Sequence, residues 1–217
     1  MKAALTVLLL QEEARSFAEM EAAHHEPLLY GVTDGKAVGT YLEHKFQRHL
    51  RSQYDYVEGS SAKGIDFPEL GVDLKVTSVR QPQSSCPFRA ARQKVYGLGY
   101  ALLVFVYEKT DDERTRTGNL NIRHVIFIDR SNTADFQTTT GIRGILDNAG
   151  NVDDIIAFLM DRFLPVDDVQ AQKLAEEILQ NPPEIGYLTV SNALQWRLQY
   201  RRAIDMAGEV GGLVRIV

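Results

Sequence analysis

The stretch Ala101-Leu102-Leu103-Val104-Phe105-Val106-Tyr107 leaves a folding chain few options. It is apolar without a polar alternate face, so it reads as a central strand buried on both sides. His124-Val125-Ile126-Phe127-Ile128 reads as its neighbour. Gly71-Val72-Asp73-Leu74-Lys75-Val76-Thr77 supplies a third strand, preceded by Ile65-Asp66-Phe67. In that third strand Val72, Leu74 and Val76 make one apolar face, which holds the polar face in register.

Around these strands the spacing of apolar residues predicts helices. Leu5, Leu8, Leu9, Phe17 and Met20 share one side of a helix over residues 3–23, and Val38, Leu42, Phe46 and Leu50 recur at steps of four over 38–51. Arg89 to Gly99 reads as a helix crossing the sheet. Gly59 to Gly64 reads as a polar loop, and Asp111 to Gly118 as a charged hairpin or exposed connection. Beyond residue 130 the pattern turns helical. Thr140-Gly141 introduces a short helix, and Asn151 to Phe163 forms another with carboxylates in its first turn. Asp167 to Gln180 is stopped by Asn181-Pro182-Pro183, and Ser191 caps a last helix running to Ala207. The expected class is α/β, a mixed central sheet flanked by helices with a helical C-terminal extension. Residues 1–136 form the expected core and 137–217 the helical part, as a separate domain or within one.

Composition excludes more than it assigns. The one cysteine, Cys86, rules out an internal disulfide framework and a cysteine-cluster metal site. A net charge of −5 argues against nonspecific coating of nucleic acid but leaves local basic clusters open. No apolar run reaches the ~18 residues that cross a bilayer. Met1 to Leu10 is followed by Gln11-Glu12-Glu13-Ala14-Arg15 rather than a small-residue cleavage site, so it reads as helix rather than secretory signal. A cytoplasmic protein is expected. Phosphate-binding and dinucleotide fingerprints are missing, and His24-His25 and His44 lack zinc spacing.

Chemistry concentrates between Gly64 and Lys75. Asp73 and Lys75 are two apart on a strand, so both side chains leave the same face. Pro68 and Gly71 allow the intervening chain to turn back and bring Asp66 beside Asp73. Two close carboxylates repel, and a hard cation such as Mg²⁺ relieves that repulsion while keeping several waters. The carbonyl of Leu74, between the two side chains, is placed as a further ligand. Such a site suits phosphodiester hydrolysis: the cation polarises the phosphate and activates water, while Lys75 orients the attacking water and stabilises the pentavalent phosphorus.

The order Asp66, six residues, Asp73-Leu74-Lys75 resembles the PD-(D/E)XK nuclease superfamily, which includes many type II restriction endonucleases. Gly35-Lys36-Ala37-Val38-Gly39-Thr40-Tyr41-Leu42-Glu43 ahead of it is similar to the MutH-like branch, with the lysine and glycine in inverted order. The match covers about residues 31–80. The resemblance implies a restriction-endonuclease-like fold and Mg²⁺-dependent cleavage of double-stranded DNA at a specific sequence, with Glu43 joining the metal site through water. Two alternatives stay open: a strand-nicking repair nuclease, and a DNA-binding module on a nuclease scaffold. A homodimer fits cleavage of both strands of a palindrome, with a cognate DNA methyltransferase in the same system.

Two segments are candidates for reading DNA. Gln81, Gln83, Ser84, Ser85 and Arg89 follow the catalytic strand, and their amides, hydroxyls and guanidinium suit base edges and phosphates. Asn192, Gln195 and Gln199 lie near one face of the last predicted helix and Arg201 and Arg202 supply charge, a pattern an ordinary amphipathic helix explains equally well. Lys36 is a further candidate, and Arg89, Arg92 and Lys94 read as a basic helix face. The C-terminal part accordingly serves DNA recognition or dimerisation.

Overall fold

A computed structural model describes residues 2–59, 64–190 and 197–217 of the protein. In chain order its elements are β1 (Ala3–Ala4), α1 (Val7–Ala22), β2 (His25–Glu26), α2 (Gly35–Gln53), β3 (Tyr54–Asp55), β4 (Val72–Ser78), β5 (Gln83–Ser85) and α3 (Ala91–Tyr96). They continue with β6 (Ala101–Asp112), β7 (Thr117–Ile128), α4 (Phe136–Asp147), α5 (Val152–Asp161), α6 (Asp168–Gln180), β8 (Thr189–Val190), β9 (Arg197–Gln199), α7 (Arg201–Met206) and β10 (Leu213–Arg215). The class is mixed α/β. Two compact units interleave along the chain: Met1–Ser84 with Ala101–Ile128 and Ile204–Val217, and Ser85–Tyr100 with Asp129–Ala203.

The first unit is built on a sheet in the order β10-β7-β6-β4, with β2 also paired to β7. β4 and β6 run parallel, while β6–β7 and β7–β10 are antiparallel, which makes the sheet mixed. The apolar run lies where its composition demands. Leu103, Phe105 and Tyr107 pack with Phe17 of α1 and Leu42 and Phe46 of α2, and Leu102, Val104 and Val106 on the other face are also buried. Phe46 stands at the centre of this packing, its ring centroid 5.1 Å from both Phe17 and Phe105.

The second unit has its own core. Ala91 and Val95 of α3, Ile142 of α4, Ile155 and Leu159 of α5 and Leu174, Ala175 and Ile178 of α6 pack together. Asn151 with Asp154, and Asp167 with Gln170, form reciprocal capping boxes that start α5 and α6 where the carboxylate-rich turns predict. α4 begins earlier than the Thr140-Gly141 reading. The reason is Asp135, whose buried carboxylate accepts from the Thr138 amide at 2.9 Å and the Val190 amide at 2.9 Å.

The C-terminal segment departs from the expected helix over Ser191 to Ala207. Arg197–Gln199 is a strand antiparallel to β8, and the helix begins only at Arg201. Leu198 and Tyr200 are both buried, a period of two that a short window cannot separate from a helical face. Residues 191–196 lie outside the described residues. Strands β2 and β10 were also not expected from the sequence, since two or three residues carry no readable period. Among the described residues no helix is long and apolar enough to cross a membrane.

Truncating Phe46 removes the ring shared by both helices and the central strand. Phe46→Ala should lower unfolding free energy by about 3–5 kcal/mol. Arg143→Ala, on an exposed side of α4, should change it by less than about 0.5 kcal/mol. Urea denaturation of the two variants measures both, and equal effects would contradict the packing described.

Candidate active site

The turn between Asp66 and Asp73 is tight. Phe67 and Val72 exchange backbone hydrogen bonds of 2.9 and 3.2 Å, closing a loop of Pro68, Glu69, Leu70 and Gly71. Gly71 has φ +62°, in the left-handed region that a side chain disfavours, and open space where a Cβ would stand. The turn carries Asp66 back beside the edge strand. There its Oδ2 accepts the Leu74 amide at 2.9 Å, and its Oδ1 accepts from Gln47 Nε2 of α2 at 3.3 Å.

Asp73 and Lys75 project from one face of β4, and Lys75 Nζ lies 2.6 Å from Asp73 Oδ2. Register pairs Asp73 with Leu102 and Lys75 with Val104, so the polar pair leaves the sheet on the side of two fully buried aliphatic residues. Asp73 is only 3% exposed. Burial pushes its carboxyl up to about 7, the facing Asp66 carboxyl adds to the rise, and Lys75 opposes it. Burial outweighs the ion pair because removing a carboxylate from water costs more than one partner at the strand edge returns.

Helix α2 lies along β4, with Gly39 against Val76 and Gln47 at Asp66. Glu43 comes between them. Burial raises its carboxyl to about 7, with the charge of Asp66 adding and that of Lys75 opposing. Among the described residues no three His, Cys, Asp or Glu side chains gather into a metal-holding group. Glu43 senses the charges of Asp66 and Lys75 without being gathered into such a group. The donors at the pair are two carboxylates and the Leu74 carbonyl, which shares an edge with the Leu74 amide because both groups of a strand residue point the same way. Such a set fits a hard divalent cation that keeps part of its water shell.

The structure thus brings Asp66, Asp73, Lys75 and Glu43 together, and adds Gln47. Gln47 follows Glu43 by one helical turn, so the (i, i+4) spacing was its only sequence signal, and that spacing is common on any helix. Lys36 is exposed in the first turn of α2, whose N-cap is the Asp34 carboxylate. Gln81 and Gln83 fold back onto the end of β4. The Thr77 hydroxyl lies 3.1 Å from the Gln81 carbonyl and 3.0 Å from that of Gln83, and accepts the Gln83 amide at 2.9 Å. Gln83, Ser84 and Ser85 form a strand rather than a loop.

The remaining candidates fall in the second unit or outside the described residues. Arg89 is exposed just ahead of α3. The basic face expected with it does not form: Lys94 is 2% exposed, and Arg92 is bound to Glu177 at 2.6 Å. Only one face of a six-residue helix is available to solvent, and it is taken by that ion pair. Gln199 sits half-buried on β9 instead of a helix, and Arg201 is exposed at the start of α7. Asn192 and Gln195 lie outside the described residues.

Two measurements follow. Gly71→Ala places its Cβ in open space, so its cost is conformational, about 1–2 kcal/mol of unfolding free energy. A smaller loss in urea denaturation would mean that the turn does not hold Gly71 in the left-handed region. The raised carboxyls of Glu43 and Asp73 set a pH dependence in EDTA. Their contribution to stability is full below about pH 4, where both groups are protonated in either state, and is lost as pH climbs towards 7, because over that range the folded chain holds protons the unfolded chain has released. Glu43→Gln removes one of the two, so its Tm should exceed that of the parent at pH 8 and approach it at pH 5. A Tm gain independent of pH would sink this account.

A profile of the family described as type II restriction enzyme NspV matches residues 4–215. The chain is similar to the type II restriction enzyme NspV of a Nostoc species, with 60% identity over 212 residues, covering 98% of this chain and 96% of that protein. No solved structure matches the chain. With both the profile and the relative spanning nearly all of it, the chain belongs to the NspV family of type II restriction enzymes, a family of endodeoxyribonucleases.

Proposed function

We propose that the protein is a Mg²⁺-dependent endonuclease that hydrolyses phosphodiester bonds of double-stranded DNA at a specific sequence. Type II restriction enzymes generally need a divalent metal and act on double-stranded DNA. The observation that carries the reading here is the buried Asp73 carboxyl on the β4 edge, faced by the half-buried Asp66 carboxyl and with Lys75 Nζ 2.6 Å from Asp73. Two neighbouring carboxyls, one of them buried, favour a divalent cation that relieves their repulsion.

In this reading Asp66, Asp73 and the Leu74 carbonyl hold the ion. Bound there, Mg²⁺ would polarise the scissile phosphate and lower the pKa of water beside it. Lys75 orients the attacking water and offsets charge gathering on the phosphoryl oxygens. The Leu74 amide and Gln47 keep the Asp66 carboxylate aimed at the site, and Glu43 reaches the ion through water. The set is consistent with the MutH-like branch of the PD-(D/E)XK nucleases. Gln81, Gln83, Ser84, Ser85 and Arg89, together with Asn192, Gln195, Gln199 and Arg201, are the proposed DNA contacts. The stretch 137–217 supplies recognition or the interface of a homodimer that cuts both strands. A cytoplasmic location and a cognate methyltransferase that shields host DNA complete the proposal.

Incubation of a mixed-sequence plasmid with the protein tests this. With Mg²⁺ discrete linear fragments are expected, and with EDTA none. Asp73→Ala and Lys75→Ala should each lower the rate by roughly a hundredfold or more. Open circles alone would indicate a strand-nicking enzyme. DNA bound but left intact under every condition would indicate a nuclease scaffold retained for binding.

A further inference from the structure

Helix α2 has three distinct sides. Val38, Leu42, Phe46 and Leu50 face the core. A second side is tied down by carboxylates: Lys45 Nζ is 2.7 Å from Glu21, His49 Nε2 is 2.7 Å from Glu13, and the Tyr41 hydroxyl donates to Glu26 at 3.0 Å. The third side begins with Gly39, Glu43 and Gln47 beside the site. It continues outward into Lys36, Thr40, His44 and Arg48, each four residues from the last and all exposed.

This outer row differs from the tied side in its partners. Among the described residues neither Lys36 nor Arg48 has a salt-bridge partner, whereas Arg51, further round, is held by Glu58. Glu43 is the one acidic side chain in the helix, and it is turned into the site. An unopposed cationic row on a protein of net charge −5 is a local feature, since the general surface would supply carboxylates to it. Lys36 and Arg48 lie on opposite sides of Glu43 along the helix. Their separation of twelve residues spans about 18 Å, which is the rise of roughly five base pairs at 3.4 Å each.

We propose that Lys36, Thr40, His44 and Arg48 form a track for the DNA sugar–phosphate backbone flanking the scissile phosphate. The inference rests on the reading of Asp66 and Asp73 as a DNA-cleaving site. The cations neutralise phosphates on both sides of the site, and Thr40 and His44 between them donate hydrogen bonds. Such contacts carry no base information. They hold the duplex in position while the selectivity of the enzyme resides elsewhere.

The test uses the full chain carrying Asp73→Ala, so that DNA is bound without being cut, with EDTA present. Binding of a labelled mixed-sequence duplex is titrated at several salt concentrations for this parent and for Lys36→Ala, Arg48→Ala and the double variant. Arg15→Ala, an exposed arginine on α1, serves as the control for net charge. Each track substitution should make the slope of log affinity against log salt shallower by about one, and the double variant by about two, with the slope of Arg15→Ala unchanged. Thermal melts that overlay the parent would show that each variant is folded. A parent that binds with an unaltered slope in the Lys36 and Arg48 variants overturns the track and leaves the nuclease reading standing. An equal change in Arg15→Ala also overturns it, since the effect is then overall charge. A parent that does not bind duplex DNA at any salt overturns both.

Discussion

The setting of the Asp73–Lys75 pair depends on the exclusion of water from both faces of β6. Leu103 and Phe105 press against α1 and α2, while Leu102 and Val104 are buried on the other side. β4 lies parallel to β6, and the register sets Asp73 opposite Leu102 and Lys75 opposite Val104. The polar face of β4 thus shares a low-dielectric surface with the most apolar strand of the fold. A carboxylate placed there is costly to ionise, which is why the Asp73 carboxyl rises even with a lysine in contact.

That cost is what makes the position useful. In the proposed function, loss of the Asp73 proton as a divalent cation binds would couple metal binding to pH. Asp66 completes the arrangement from outside the sheet. Its two oxygens are held by the Leu74 amide and Gln47, so the loop that carries it is locked to an otherwise open strand edge. The edge itself is thereby shielded, since an unpaired strand invites association with other chains. In the proposed function one carboxylate would serve structure and chemistry together.

α2 links these features to the surface. Phe46 anchors the helix in the core, Glu43 and Gln47 meet the site, and Lys36 and Arg48 face solvent next to it. A single helix therefore sets the distance between core, site carboxylates and the row of Lys36 and Arg48. Its rigidity follows from packing on one side and from the contacts of His49 with Glu13 and Lys45 with Glu21 on another.

Local sequence alone determined the strands β4, β6 and β7, the helices α1, α2, α5 and α6, and the shared face of Asp73 and Lys75. Each rests on a period, a cap or a turn residue that acts within about a dozen residues. Gly71 and Pro68 likewise announced the turn that returns Asp66 to the strand. Tertiary structure decided the rest. The strand character of Arg197–Gln199 comes from pairing with Thr189–Val190, and β10 exists only because β7 offers it an edge. Gln47 acquired its partner through the placement of α2 along β4, and Lys94 lost its expected exposure through packing in the second unit. The elevated carboxyls of Asp73 and Glu43 could not be read from the chain either, because desolvation depends on what covers a residue, and that is set by segments distant in sequence.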